Sequence, residues 1–90
     1  MKKYELLPIY DSKKSFYHKA IIEEENENIK LYSYNTLVCT LLHDDIILNN
    51  NIDQSLLFSS TTLRHIKEFL KQFYYNSDKN ITKKDLLKLL

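Results

Sequence analysis

The sequence predicts an α+β fold in which a four- to five-stranded antiparallel meander packs against one amphipathic helix, with a second short helix at the C-terminal end. Three observations carry this reading. Between residues 16 and 58, β-favouring runs alternate with polar breaks of hairpin length. After them, Leu63, Ile66, Phe69, Leu70 and Phe73 recur at the spacing of one helical face. Finally, 90 residues with 43% hydrophobic content make one domain, spanning 1–90, with enough apolar surface for a core.

Each element has its own signal. Phe16 to Glu24 alternates Phe16, His18, Ala20 and Ile22 against Tyr17, Lys19, Ile21 and Glu23, which predicts a strand with both faces partly apolar. Glu25-Asn26-Glu27-Asn28 reads as the hairpin turn, and Ile29 to Tyr34 as the antiparallel partner. Leu37-Val38-Cys39-Thr40-Leu41-Leu42 is nearly continuous in β-favouring residues, which predicts a central strand buried on both faces. His43-Asp44-Asp45 turns the chain into Ile46-Ile47-Leu48, and Leu56-Leu57-Phe58 is read as a short last strand. The main helix runs from about Thr61 to Phe73, with N-cap oxygens offered by Ser59 to Thr62. Arg64, Lys67, Glu68, Lys71 and Gln72 take the rest of its circumference, facing water. Thr82 and Asp85 have capping-box spacing, and Ile81 and Leu86 that of a hydrophobic staple, so a short helix begins there.

Composition excludes several chemistries. The chain has no glycine, so neither type of glycine-rich phosphate loop exists, and turns needing positive φ must use Asn or Asp, with Asn26, Asn28, Asn35, Asn49, Asn50, Asn51, Asn76 and Asn80 on offer. Cys39 is the single cysteine, which rules out an intramolecular disulfide and fits a reducing cytoplasm; inside an apolar run it reads as a core residue. No run approaches the ~18 apolar residues of a membrane span, so no membrane partner is expected. His18, His43 and His65 lack metal-ligand spacing, and no cofactor or metal is expected. No nucleophile stands beside a base in any recognisable arrangement, so the expectation is a protein that is not an enzyme.

The segments Tyr10-Asp11-Ser12-Lys13-Lys14-Ser15-Phe16-Tyr17-His18-Lys19-Ala20, Leu31-Tyr32-Ser33-Tyr34-Asn35-Thr36-Leu37-Val38 and Ser59-Ser60-Thr61-Thr62-Leu63-Arg64-His65-Ile66-Lys67-Glu68-Phe69-Leu70-Lys71-Gln72 resemble a family of small bacteriophage and prophage proteins of unknown function. The resemblance runs in order along nearly the whole chain and implies origin and fold rather than chemistry. His18 stands where that pattern usually has Gly, and residues 43 to 58 diverge from it.

Candidate sites follow. Arg64 and His65 lie in the helix's first turns behind a Ser/Thr cluster able to receive an anion. Tyr32 and Tyr34 belong to a set of tyrosines suited to protein contact at low entropic cost. With Lys67 and Lys71 these form the expected partner-binding residues. The preferred function is a phage-type, non-enzymatic protein that binds a host protein or ribonucleoprotein complex, most concretely an anti-CRISPR-like inhibitor of a defence nuclease in the host cytoplasm. The alternative is a nucleic-acid or phosphate-binding accessory protein. It draws on the basic last third, where seven basic residues meet only Glu68, Asp78 and Asp85, although a net charge of +1 over the chain permits only weak nucleic-acid contact. Leu86, Leu87, Leu89 and Leu90 are more apolar surface than one face of a two-turn helix can hide, and predict a homodimer contact.

Overall fold

Five strands form one antiparallel sheet in sequential order, β1 (Lys2–Glu5), β2 (Ala20–Glu25), β3 (Asn28–Ser33), β4 (Thr36–Leu42) and β5 (Asp45–Leu48), in a computed structural model that describes residues 1–90. Three helices follow: α1 (Gln54–Leu57), α2 (Ser60–Leu70), extended by a π-helical turn at Lys71–Tyr75, and α3 (Lys83–Leu87). This is the predicted α+β meander, except that β1, which was not expected, supplies the fifth strand and the strand expected at residues 56 to 58 is absent.

The period-2 pattern sorts the sheet into two faces. One inward row runs through Ile22, Leu31, Cys39 and Leu48, which are mutually paired across four strands. It packs against Leu57, Ile66, Phe69 and Leu70 in a single core. The opposite face carries Lys3, Glu23 and Lys30 in register, placing opposite charges side by side.

Four local readings are corrected here. The strand expected from Phe16 begins only at Ala20, because Tyr17 and His18 adopt φ of 53° and 63° and break the extended chain. The β4 strand is covered on one face only. Its consecutive buried residues Val38 and Cys39 arise from a bulge, since Leu31 pairs with Cys39 while Tyr32 pairs with Leu37 and leaves Val38 as the extra residue. The carbonyls there are taken by Asn49, whose backbone N–H donates to Val38 (3.0 Å) and whose Nδ2 donates to Leu37 (2.7 Å). Leu56-Leu57-Phe58 is no strand. Asp53 caps a helical turn there, its Oδ1 accepting from Ser55 N at 2.9 Å, and three apolar residues suit either period. Finally, Glu68 does not face water but is buried.

That burial has a cause. The Glu68 carboxylate accepts from the backbone N–H groups of Ile9 (3.0 Å), Tyr10 (3.2 Å) and Asp11 (2.8 Å), and Gln72 one turn later donates both to Glu68 and to the Leu7 carbonyl. A segment without regular structure thereby satisfies its amides and is clipped to α2. It seats Leu6 and Phe16 in the core.

The α3 capping box forms as read, with Asp85 N donating to Thr82 Oγ1 (3.1 Å) and Thr82 N donating to Asp85 Oδ2 (3.0 Å). Leu86 is buried in the chain's own core beside Ile81, so it is not available as an oligomer contact. Leu87, Leu89 and Leu90 stay exposed at about 40%. No helix is long and apolar enough to cross a membrane.

Candidate functional site

Two tight turns and one helix start build the site. Phe16 to Lys19 closes with Lys19 N donating to Phe16 O at 2.9 Å, and both central residues, Tyr17 and His18, have positive φ. The β3–β4 hairpin closes the same way through Tyr34 and Asn35, at φ 52° and 66°. Both have the positive-φ pair of a type I′ turn, normally served by Asn and Gly. The turns are tied together, since Tyr34 N donates to Lys19 O at 2.9 Å. In a chain without glycine, Asn35 takes one such position as expected, but tyrosine and histidine take the other three.

The start of α2 lies against these turns. Ser59 is the N-cap, its Oγ accepting from Thr62 N at 3.4 Å. One turn further on, His65 is fully buried, its ring tilted against those of Phe16 and Tyr34 at centroid distances of 4.6 and 5.9 Å. Its Nδ1 lies 2.7 Å from Ser33 Oγ, which lies 3.3 Å from Thr62 Oγ1. The Ser33 hydroxyl thereby bridges the ring's Nδ1 and the Thr62 hydroxyl, and the ring's other nitrogen is Nε2. That Nε2 has no partner in the protein. Burial lowers the His65 pKa to about 4, opposed by the Asp11 carboxylate, so the ring is neutral near pH 7.

Beside His65 opens a cavity of about 340 Å³, walled by Phe16, Tyr17 and Tyr34, with Lys13, Lys19 and Arg64 supplying positive charge. Lys19 Nζ sits 5.9 Å over the Tyr34 ring. Arg64 is held by Asp11, Nη1 to Oδ1 at 2.7 Å, which leaves the two lysines as the cations that no ion pair engages.

The expected partner-binding residues divide three ways. Tyr34, Arg64 and His65 converge on this cleft, although His65 is a floor residue and not a surface one. Tyr32 points to the other face of the sheet, in a shallow depression with Lys3, Ile21 and Glu23. Lys67 and Lys71 line a separate hollow with Asp11 and Glu68, and Lys71 Nζ is paired with Asp78 at 2.9 Å. Lys13, Lys19 and Phe16 were missed as site residues. The N-terminal resemblance segment contains all three, but nothing in the spacing shows that residues 13 to 19 fold beside residue 65.

Other reactive groups lie elsewhere. His18 pairs with Glu5 (3.0 Å) and His43 with Glu27 (3.2 Å), and no three side chains of metal-ligating type converge. Burial pushes the Cys39 thiol up to about 12, the opposite of nucleophile activation.

The model of a family described as a family of unknown function (DUF8033) matches residues 4–88. No curated protein matches the chain, and no solved structure does.

Proposed function

We propose, from the premise that this chain belongs to a family of unknown function (DUF8033), that it is a non-enzymatic binding module holding a macromolecular partner against the paired turns beside α2. The observation that carries this is the display of Tyr17 and Tyr34, which are 71% and 50% exposed, on backbone in the left-handed region. That conformation costs an ordinary residue about 1–2 kcal/mol, and turns so constrained present their side chains with little left to order on binding. Tyrosine supplies large contact area with few rotatable bonds, and the flanking Lys13 and Lys19 add charge that steers an acidic surface.

The finer reading is a phage-type protein acting in the host cytoplasm on a host protein or ribonucleoprotein complex, most concretely as an anti-CRISPR-like inhibitor of a defence nuclease. Its support is the resemblance of the three sequence segments, two of which supply these turns. The nucleic-acid reading of the basic last third has less support, because Arg64 and Lys71 are already in ion pairs. The proposal includes a homodimer joined through Leu87, Leu89 and Leu90.

The test compares wild-type protein with the Tyr17→Ala/Tyr34→Ala double variant as bait in host lysate, followed by a nuclease assay on the retained complex. A partner held by the wild type should be lost at least ~30-fold from the variant, as for removal of a hot spot worth about 2 kcal/mol. Retention of no protein at micromolar bait, or equal retention by both baits, removes the proposal.

A further inference from the structure

We infer that the N-terminal arm, residues 1–16, exchanges between two copies of this chain, with the turn at Tyr17 and His18 opening as the hinge. Each copy then completes its partner's sheet and core with β1, Leu6 and Phe16. The inference goes beyond the binding reading and does not depend on it. Its first support is the way the arm is held. β1 is an edge strand that pairs only with β2, Lys3 lying opposite Glu23 and Tyr4 opposite Ile22. The connection from Leu6 to Lys19 contains no helix or strand. It is fixed by the Glu68 carboxylate, which accepts from the N–H groups of Ile9, Tyr10 and Asp11, by the ion pair of Asp11 with Arg64, and by the burial of Leu6 and Phe16. All of these contacts join the arm to residues beyond the turn, so they form equally well whichever copy supplies the arm.

The second support is the hinge. Tyr17 and His18 are consecutive residues other than glycine, with φ of 53° and 63°, and each carries the left-handed penalty. A short hinge under strain favours exchange, because opening it to an extended conformation relieves both residues at once. The turn's own hydrogen bonds, from Lys19 N to Phe16 O, Tyr17 N to Ser15 Oγ and His18 N to Glu5 Oε2, are donated by exposed residues, where water replaces them. The third support is the sequence itself. Phe16 to Glu24 alternates as one unbroken strand, so the extended hinge is the conformation that local patterning prefers. In the exchanged pair the cleft beside α2 is composite, with Lys13 and Phe16 from one copy set against Tyr34 and His65 of the other.

The experiment refolds the full chain from urea at ~1 mM, comparable to the effective concentration of its own tethered arm, and at ~10 µM. A dimer fraction is expected at the higher concentration and none at the lower. Its topology is read with the Lys3→Cys/Glu23→Cys variant, which places a cysteine pair at opposed positions of β1 and β2, far in sequence from the buried Cys39. Oxidation of the isolated dimer should join two chains on a denaturing gel without reductant. A crosslink confined within each chain, or the absence of dimer at ~1 mM, overturns the exchange. Tyr17→Gly/His18→Gly relieves the closed turn and should lower the dimer yield at least ~10-fold; an unchanged yield overturns the hinge. Leu87→Lys/Leu90→Lys leaves the exchanged dimer intact, so failure of exchange is separate from failure of the leucine contact.

Discussion

At position 18 a histidine holds a conformation that glycine adopts freely. Its φ is 63°, and Glu5 supports the turn by accepting from the His18 backbone N–H (2.9 Å) and meeting its Nδ1. His18→Gly removes the left-handed penalty and loses only the contact between a solvent-exposed ring and Glu5, so urea unfolding should show a gain of up to about 1 kcal/mol. A loss of stability would mean that the histidine ring holds the turn. His65 makes a different statement. Its pKa falls from the ordinary 6.5 to about 4 on folding, chiefly through burial, so below pH 6.5 the unfolded chain takes up the proton first. The stabilising contribution is therefore complete above about pH 6.5 and drains away as the pH falls toward 4. Between pH 7 and pH 5 the wild type should lose more stability than His65→Gln, as measured by denaturant midpoints; parallel losses would contradict the assignment. Neither residue was legible as placed. Histidine at positive φ breaks the period-2 reading of Phe16 to Glu24, and an i, i+3 pair of polar residues on a helix, His65 and Glu68, reads as solvent-facing until something is known to lie over it.

Among the elements, α2 shows where sequence patterning reached and where it stopped. The apolar stripe and the Ser59 cap were readable because both depend on local spacing, and the same holds for the α3 capping box. What escaped was the breadth of the buried face. The sheet covers one flank of the stripe, burying Thr62 and His65, while the clipped N-terminal segment covers the other and buries Glu68. Leu56 to Phe58 was ambiguous for a related reason, since three apolar residues fit either period and only the Asp53 cap turns them into a helix. The β1 strand carried no signal at all, because its four residues include two lysines and a glutamate and it is recognised only by pairing with β2. Glu68→Gln keeps the size of the side chain but removes the charge that strengthens three backbone bonds, so a cost of about 2 kcal/mol is expected by urea unfolding. The amides of Ile9, Tyr10 and Asp11 should exchange with deuterium faster in that variant; unchanged exchange would show that the clip is held by something else.

For the whole molecule, the meander leaves both β1 and β5 as open edges and exposes Leu87, Leu89 and Leu90 beside α3. Edge pairing is discouraged by Lys2, Lys3 and Glu5 on one side and Asp45 on the other, so the leucines are the contact to test. Light scattering at ~100 µM should report a dimer if the contact reaches the ~1 µM dissociation constant of a modest interface. Leu87→Lys/Leu90→Lys should then give a folded monomer, and a wild type that is monomeric at that concentration defeats the dimer. The sheet itself is built from neighbours in sequence, and local pairings of this kind close early in folding. The Glu68 clip is the opposite, joining residues 57 to 59 positions apart. Four hairpin-linked strands can thus assemble while the carboxylate that anchors residues 9 to 11 is still to be synthesised. The N-terminal segment is then the last piece to dock and, by the same reasoning, the first to peel away. A chain released at that stage would bare Leu6, Phe16 and the His65 ring together, so the cleft beside α2 takes shape in the final folding step.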